Sequence, residues 1–224
     1  MKNILALGIL FISTISFAQK MEIEKLWRTK GVYDSLGNFI EKAKIQSFLY
    51  SSKSNQFYRL QIQDKVNMET GETKIFICKD TLNLTPLNQK SYILNENEVL
   101  TFHNNDSLTI KYNGYTLPYI KLSQKPNKVD FDLFKSKLTK EPLIESVENI
   151  KEYRFTYQDN GLVKVKPLDR DSEWESEYKI INFNGFIILQ GIVSAPKLII
   201  SIKKRKVTFI EIDYRFENKK GELN

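Results

Sequence analysis

The stretch that decides the fold is YRFTYQDNGLVKV, residues 153–165. Its first half places Tyr153, Phe155 and Tyr157 at every second position, and its second half alternates valine with lysine. Apolar side chains at every second position are typical of a β-strand with one buried face. Asn160-Gly161 stands between the halves and favours a tight turn, because both central residues of a type I′ turn need positive φ. The stretch therefore predicts a β-hairpin.

The same pattern recurs along the chain. Asn-Gly pairs at 113–114 and 184–185 separate alternating apolar runs, polar turns stand at 51–55 and 104–106, and a basic tip at 203–206 lies between two apolar runs. Many short strands joined by turns indicate a sandwich or a barrel. The sequence therefore predicts an all-β fold, an antiparallel up-and-down meander that forms either one large barrel or two small ones.

Helix is scarce in this pattern. A short helix is predicted over 130–138, where Phe131 and Phe134 lie one turn apart. Pro142 ends any helical continuation, because proline has no backbone N–H to donate. A weaker helical candidate follows over 143–150.

Four segments are predicted. Residues 1–18 form a signal peptide, 19–124 a first β domain, 125–149 a linker with the short helix, and 150–224 a second β-rich region, which is either a second small barrel or an extension of the first. The two strand-rich parts are weakly alike. Duplication of a meander would explain the likeness, and so would the common pattern of strands alone.

The N-terminus predicts export. Lys2 precedes an uncharged apolar run at 4–15, and small residues at Ser16 and Ala18 stand before a possible cleavage site ahead of Gln19. The run is shorter than the roughly 20 apolar residues of a membrane-spanning helix. We expect a periplasmic or extracellular protein with no membrane span after removal of the signal.

The single cysteine, Cys78, excludes an internal disulfide. It lies in an apolar run and is predicted to be a small buried side chain, because free cysteine is among the most buried residue types. The net charge of +7 is scattered, with no basic face interleaved with exposed aromatic rings, which argues against nucleic acid as a partner. An anionic envelope surface or polysaccharide remains open as a partner.

Residues 22–124 resemble the exported bacterial lipocalin-like proteins. The likeness rests on the strand pattern YIL at 92–94, VLTF at 99–102, LTIKYNG at 108–114 and YIKLS at 119–123. Trp27 matches the family's tryptophan on the first strand, although Lys25 stands where the family has glycine. The resemblance implies a closed barrel whose interior holds a small apolar ligand. For the whole chain, binding of such a ligand predicts a cavity lined by Phe102, Ile110, Phe155 and Phe186.

No catalytic or metal motif is found. The only histidine, His103, lies at a strand end that leads into a turn, and histidine and cysteine are too few for a zinc site. The acidic stretch 169–177 lacks the glycine of a calcium loop, because Trp174 takes its place. That tryptophan is predicted to be buried in the core. The protein is expected to be no enzyme and to need no cofactor or metal.

Two functions follow as expectations. The first is a secreted or periplasmic lipocalin-like protein that binds a small apolar or amphipathic ligand. The alternative is a non-catalytic envelope protein that docks on another protein or on a surface glycan.

Overall fold

The structure is a computed structural model of the 224-residue chain. It describes residues 24–40, 45–52, 56–95, 97–122, 129–148, 150–192, 194–203, 206–213 and 218–224. The predicted signal peptide lies outside the described residues. So does most of the turn at 51–55 and the centre of the basic tip at 203–206. Among the described residues, no helix is long and apolar enough to cross a membrane.

The first half of the chain forms a nine-stranded antiparallel sheet that curls without closing. Its strands are β1 (Lys25–Thr29), β2 (Ile45–Ser51), β3 (Phe57–Val66), β4 (Thr73–Leu82), β5 (Leu84–Pro86), β6 (Ser91–Leu94), β7 (Glu98–Asn104), β8 (Ser107–Tyr112) and β9 (Tyr115–Leu122). Their spatial order is β4-β3-β2-β1-β9-β8-β7-β6-β5. The two edges are therefore β4 and β5, which follow each other in the chain but do not pair. We call this unit the curled sheet.

The second half forms a closed barrel of eight antiparallel strands. They are β10 (Leu143–Val147), β11 (Ile150–Tyr157), β12 (Leu162–Pro167), β13 (Trp174–Phe183), β14 (Phe186–Gly191), β15 (Lys197–Lys203), β16 (Lys206–Glu211) and β17 (Lys219–Leu223). Each strand pairs with the next along the chain, and β17 pairs with β10 to close the ring. The predicted all-β, up-and-down fold is confirmed.

Within the part of the chain that the structure describes, one helix, α1 (Phe131–Lys140), precedes the barrel and confirms the helix predicted over 130–138. Asp130 caps it, because its carboxylate accepts a hydrogen bond from the N–H of Leu133 at 2.9 Å. Phe134 and Leu138 are fully buried among the side chains of the barrel. The amphipathic face of the helix thus supplies part of the barrel core.

The weaker helix candidate over 143–150 was wrong. Residues Leu143–Val147 form β10, and β11 begins at Ile150. The ladders to β11 and β17 satisfy the backbone of β10 on both sides, which outweighs a weak helical pattern. The barrel accordingly begins at Leu143, inside the segment that the sequence assigned to a linker.

The three Asn-Gly pairs all lie in hairpin turns. Asn113 and Gly114 have φ of 46° and 80°, and the pair at 184–185 has 50° and 85°, as a type I′ turn requires. In the hairpin that the opening sequence predicts, only Gly161 is positive, with φ of 86°. Its N–H donates to the carbonyl of Gln158 at 3.2 Å. This loop therefore has one residue more than the two-residue turn that was predicted.

Alternation along the strands creates three apolar cores. One core fills the barrel, one fills the concave side of the curled sheet, and the third joins the two units. Neighbours on β1 illustrate the division, since Leu26 packs in the joint core and Trp27 inside the curled sheet. Both faces of the sheet are buried over much of their area, and the two units therefore pack as one body.

Cys78 is exposed, contrary to the prediction of a buried thiol. It lies on β4, an edge strand that pairs with β3 alone, and its neighbours Phe76 and Ile77 are exposed by 48% and 38%. An apolar run at the edge of a sheet lacks the neighbouring strand that would cover it. The hydrogen bond that the thiol makes to Asp80 at 3.4 Å raises the pKa of Cys78.

Candidate binding site at the barrel mouth

Aromatic rings form a continuous row along the inner wall of the barrel. The ring of Trp174 lies 6.0 Å from Tyr153, which lies 6.3 Å from Phe155, and Phe155 stacks on Tyr157 at 5.9 Å. Tyr157 then meets Tyr178 edge-on at 4.9 Å. Trp174 is 47% exposed, Tyr153 and Phe155 are half-buried, and Tyr157 is buried. The row therefore runs from solvent into the core.

The alternation of β11 and the start of β13 create this row. Tyr153, Phe155 and Tyr157 occupy every second position of β11, which turns all three inward. Trp174 is the first residue of β13 and pairs with the inward-facing Val165 of β12. It therefore lies at the end of the barrel. We call Tyr153, Phe155 and Trp174 the barrel mouth.

A charged group lies beside the aromatic row. Lys197 Nζ is 3.2 Å from Glu145 Oε1, and each of the two side chains is only 10% exposed. The ammonium also lies 5.8 Å from the ring of Phe155 and 5.7 Å from that of Phe209, within the range of a cation–π contact. Glu211 is directly opposite Lys197 on β16. The three charged side chains form a cluster of two acids and one base.

Burial dominates the electrostatics of this cluster. Desolvation raises the pKa of Glu211, while the charge of Lys197 opposes the shift and that of Glu145 adds to it. Desolvation also raises the pKa of Tyr157 well above its ordinary value, and Glu145 again contributes. Charged forms are thus disfavoured here unless they are paired. A ligand that reached the cluster would be held by hydrogen bonds and charge in a poorly hydrated environment.

The site combines apolar rings that reach solvent with a buried polar cluster. Rings of this kind stack on flat or apolar groups, and the cluster offers two carboxylates and an ammonium. Among the residues that the structure describes, no three His, Cys, Asp or Glu side chains are placed to hold a metal ion. The arrangement suits the binding of a molecule with an apolar and a polar part.

The four sequence-predicted site residues fall into three places. Phe155 belongs to the barrel mouth. Phe102 and Ile110 pack together inside the curled sheet, and Phe186 lies in the core that joins the two units. They therefore do not line one common interior, and only Phe155 contributes to the row of rings.

Two further side chains were singled out in the sequence. The prediction of a buried Trp174 was wrong, because the tryptophan follows the loop 168–173 and stands where the barrel ends. His103 is exposed, and its Nε2 lies 3.1 Å from the hydroxyl of Thr109.

Sequence reasoning missed Glu145, Lys197 and Glu211. Glu145 lay in the segment assigned to a linker. The burial of Lys197 could have been predicted from the sequence. It lies two positions before Ile199 on an apolar strand, and residues two apart on a strand face the same side. A lysine in that register must either be buried or disrupt the strand, and pairing with an acid allows burial.

Comparison with known proteins found no match: no family model, no curated protein and no solved structure is significantly similar to this chain.

Proposed function

We propose that this protein binds one small amphipathic molecule at the barrel mouth and carries out no catalysis. The observation that carries the proposal is the row of rings from the exposed Trp174 to the buried Tyr157, together with the pair Lys197–Glu145, whose ammonium lies 5.8 Å from the ring of Phe155 in that row. The apolar part of the ligand stacks on Tyr153, Phe155 and Trp174. Its polar end points to the charged cluster.

The exposed aromatic surface at the barrel mouth supports ligand binding on energetic grounds. An aromatic ring exposed by about half loses roughly 1–2 kcal/mol of burial free energy, which a ligand would recover. A barrel of eight strands is also just wide enough to be filled by side chains or to hold one small ligand. In this barrel Phe134 and Leu138 of α1 fill part of the core, so we place the ligand at the mouth rather than at the centre.

Tryptophan fluorescence tests the proposal, because the two tryptophans lie in different units. Trp27 is buried in the curled sheet and Trp174 stands at the mouth. Dodecanoate, titrated below its critical micelle concentration, should change the emission of the wild type saturably. The change should be absent in Trp174→Phe. Acetate, which shares only the carboxylate, should have no effect.

Affinity gives the quantitative check. Phe155→Ala should weaken dodecanoate binding about tenfold, because it removes a ring that contributes roughly 1.4 kcal/mol of apolar contact. Tyr112→Ala, a matched loss of a half-exposed ring on the curled sheet, should leave affinity unchanged. Native mass spectrometry that shows no one-to-one complex, or an emission change that persists in Trp174→Phe, would contradict the proposal.

Export belongs to the same proposal, with residues 1–18 removed as a signal peptide. N-terminal sequencing of the protein secreted by a bacterial host should then begin at Gln19. A mature chain that still begins at Met1 would contradict export by this route.

A further inference from the structure

A groove of about 720 Å³ lies on the outer face of β15, β16 and β17, away from the barrel mouth. We call it the basic groove; the lining residues that matter are Ser201, Lys203, Lys206, Thr208, Lys220 and Glu222. Further along the same strands the outer face is covered, since Leu198 and Ile212 pack against the curled sheet. The groove therefore occupies the part of this face that the curled sheet leaves open.

The charge of the groove is not balanced. Lys206 pairs with Glu222 at 2.6 Å. Lys203 and Lys220 have no ion-pair partner among the described residues, which leaves a net charge of two positive units from these four side chains. Unpaired lysines held around a concavity concentrate positive potential there, which attracts an anionic partner.

The positive charges also have a defined spacing. Lys203 and Lys206 face each other across β15 and β16, and Lys220 is opposite Ile210, four residues further along β16. With a rise of about 3.3 Å per residue, the two positions are roughly 13 Å apart along the strand direction. A partner must therefore present anionic groups at intervals along its length. A single small anion would contact only one position.

The geometry points to an acidic polysaccharide as the occupant, and we propose the basic groove as its binding site. The three strands are paired on both sides within a closed barrel, so a peptide has no free edge to extend. Recognition must use side chains, and the hydroxyls of Ser201 and Thr208 match the hydroxyl groups of sugars. A recess is also a poor fit for the flat surface of a bilayer.

Binding of a galacturonic acid decasaccharide to the whole protein tests the proposal, with neutral maltodecaose as the comparison. We expect the acidic sugar alone to bind, and the affinity to fall as salt is added. Lys203→Glu with Lys220→Glu should weaken binding at least about tenfold. Lys111→Glu with Lys135→Glu changes the net charge equally at exposed sites elsewhere and should leave it intact.

Three results would overturn the proposal. Equal loss in both double variants would mean attraction to overall charge rather than to the groove. Tighter binding of phosphatidylglycerol vesicles or of poly-glutamate than of the decasaccharide would assign the groove to a membrane or to an acidic protein. Binding of maltodecaose with the same affinity would show that charge plays no part.

Discussion

The curled sheet and the barrel differ in what happens at the first and last strands of each sheet. Both are antiparallel meanders, and in each the two outermost strands would leave backbone groups unpaired unless something covers or joins them. In the barrel, β17 pairs with β10, so that backbone hydrogen bonds complete the ring. In the curled sheet, β4 and β5 remain unpaired edges. Here a side-chain cluster spans the opening, because Arg59 of β3 reaches both Asp80 of β4 and Glu98 of β7.

The charged cluster around Arg59 in the curled sheet and the one around Lys197 in the barrel differ in what they contribute to the fold. Arg59 Nη1 lies 2.7 Å from Glu98 Oε2, and Nη2 lies 3.2 Å from Asp80 Oδ2. Burial alone would lower the pKa of Arg59, but the hydrogen bonds and charge of Glu98 raise it above its ordinary value. In the barrel, the pair Lys197–Glu145 links β15 and β10, which do not pair directly but which the closed ring of backbone ladders already connects through β16 and β17. We infer that the charged cluster stabilises the open curled sheet, whereas backbone hydrogen bonds alone close the barrel.

The largest expected effect comes from Arg59→Met. It leaves Asp80 and Glu98 facing each other without a cation, which should lower the free energy of unfolding by about 3 kcal/mol. Urea unfolding followed by circular dichroism measures this loss. Hydrogen exchange should speed up most at β4 and β5, since the variant removes the bridge across the opening.

Two variants control this prediction. Lys111→Met, which removes an exposed cation from β8, should change stability little. Adding Glu98→Leu to Arg59→Met should restore part of the lost stability, because it removes one of the two carboxylates that Arg59→Met leaves without a cation. A loss below about 1 kcal/mol in the single variant would mean that the curled sheet does not depend on the cluster.

A smaller loss is expected where the backbone closes the barrel. Gly221 lies on β17 opposite Val147 of β10 and Phe209 of β16. A Cβ there would overlap the Phe209 ring and come within 3.0 Å of the carbonyl oxygen of Ser146. Gly221→Ala should therefore cost about 1–3 kcal/mol through overpacking, measured by the same urea unfolding.

Gly191→Ala is the matched control, because its nearest neighbour is the Ser194 hydroxyl at 2.9 Å, which can move. We expect a clearly smaller loss there. Phe209→Leu combined with Gly221→Ala should recover stability relative to Gly221→Ala alone. If the two glycine variants were equally stable, close packing at the closing strand would not matter.

The sequence predicted the barrel-forming meander because alternation and turn chemistry are local. Tyr153, Phe155 and Tyr157 face inward as their spacing requires, and the Asn-Gly turns stand where they were expected. Which of the two sheets closes into a barrel could not be predicted from local pattern in this way. Whether β17 meets β10 depends on strand tilt and register around the whole ring, which no short stretch encodes.

The candidate site was predictable only in part, for the same reason. Phe155 could be placed on an inward face, but its neighbours Lys197 and Glu145 come from strands about 40 and 10 residues away, joined by side-chain geometry. Cys78 and Trp174 were misjudged because burial depends on position in the sheet. Cys78 follows an apolar run and Trp174 alternates with glutamates, patterns that predict buried side chains, yet Cys78 lies on an edge strand and Trp174 at a barrel end.

The smallest expected effect is a pH dependence of the free energy of unfolding, which we expect from Glu211 of the barrel and not from Arg59 of the curled sheet. Burial raises the pKa of Glu211, with Glu145 and Asp213 adding to the shift and Lys197 and Lys219 opposing it. The folded chain then binds more protons at this site than the unfolded chain, so the stability that Glu211 contributes is present at low pH and is lost as pH rises through the raised pKa.

The side chain introduced by Glu211→Gln cannot titrate. In urea unfolding between pH 4 and pH 7, the variant should gain stability relative to the wild type as pH rises, whereas Glu152→Gln, at an exposed acid of the same barrel, should show no such trend. A stability difference for Glu211→Gln that stays constant with pH would mean that folding does not raise the pKa of Glu211, and that burial in the barrel costs its carboxylate nothing.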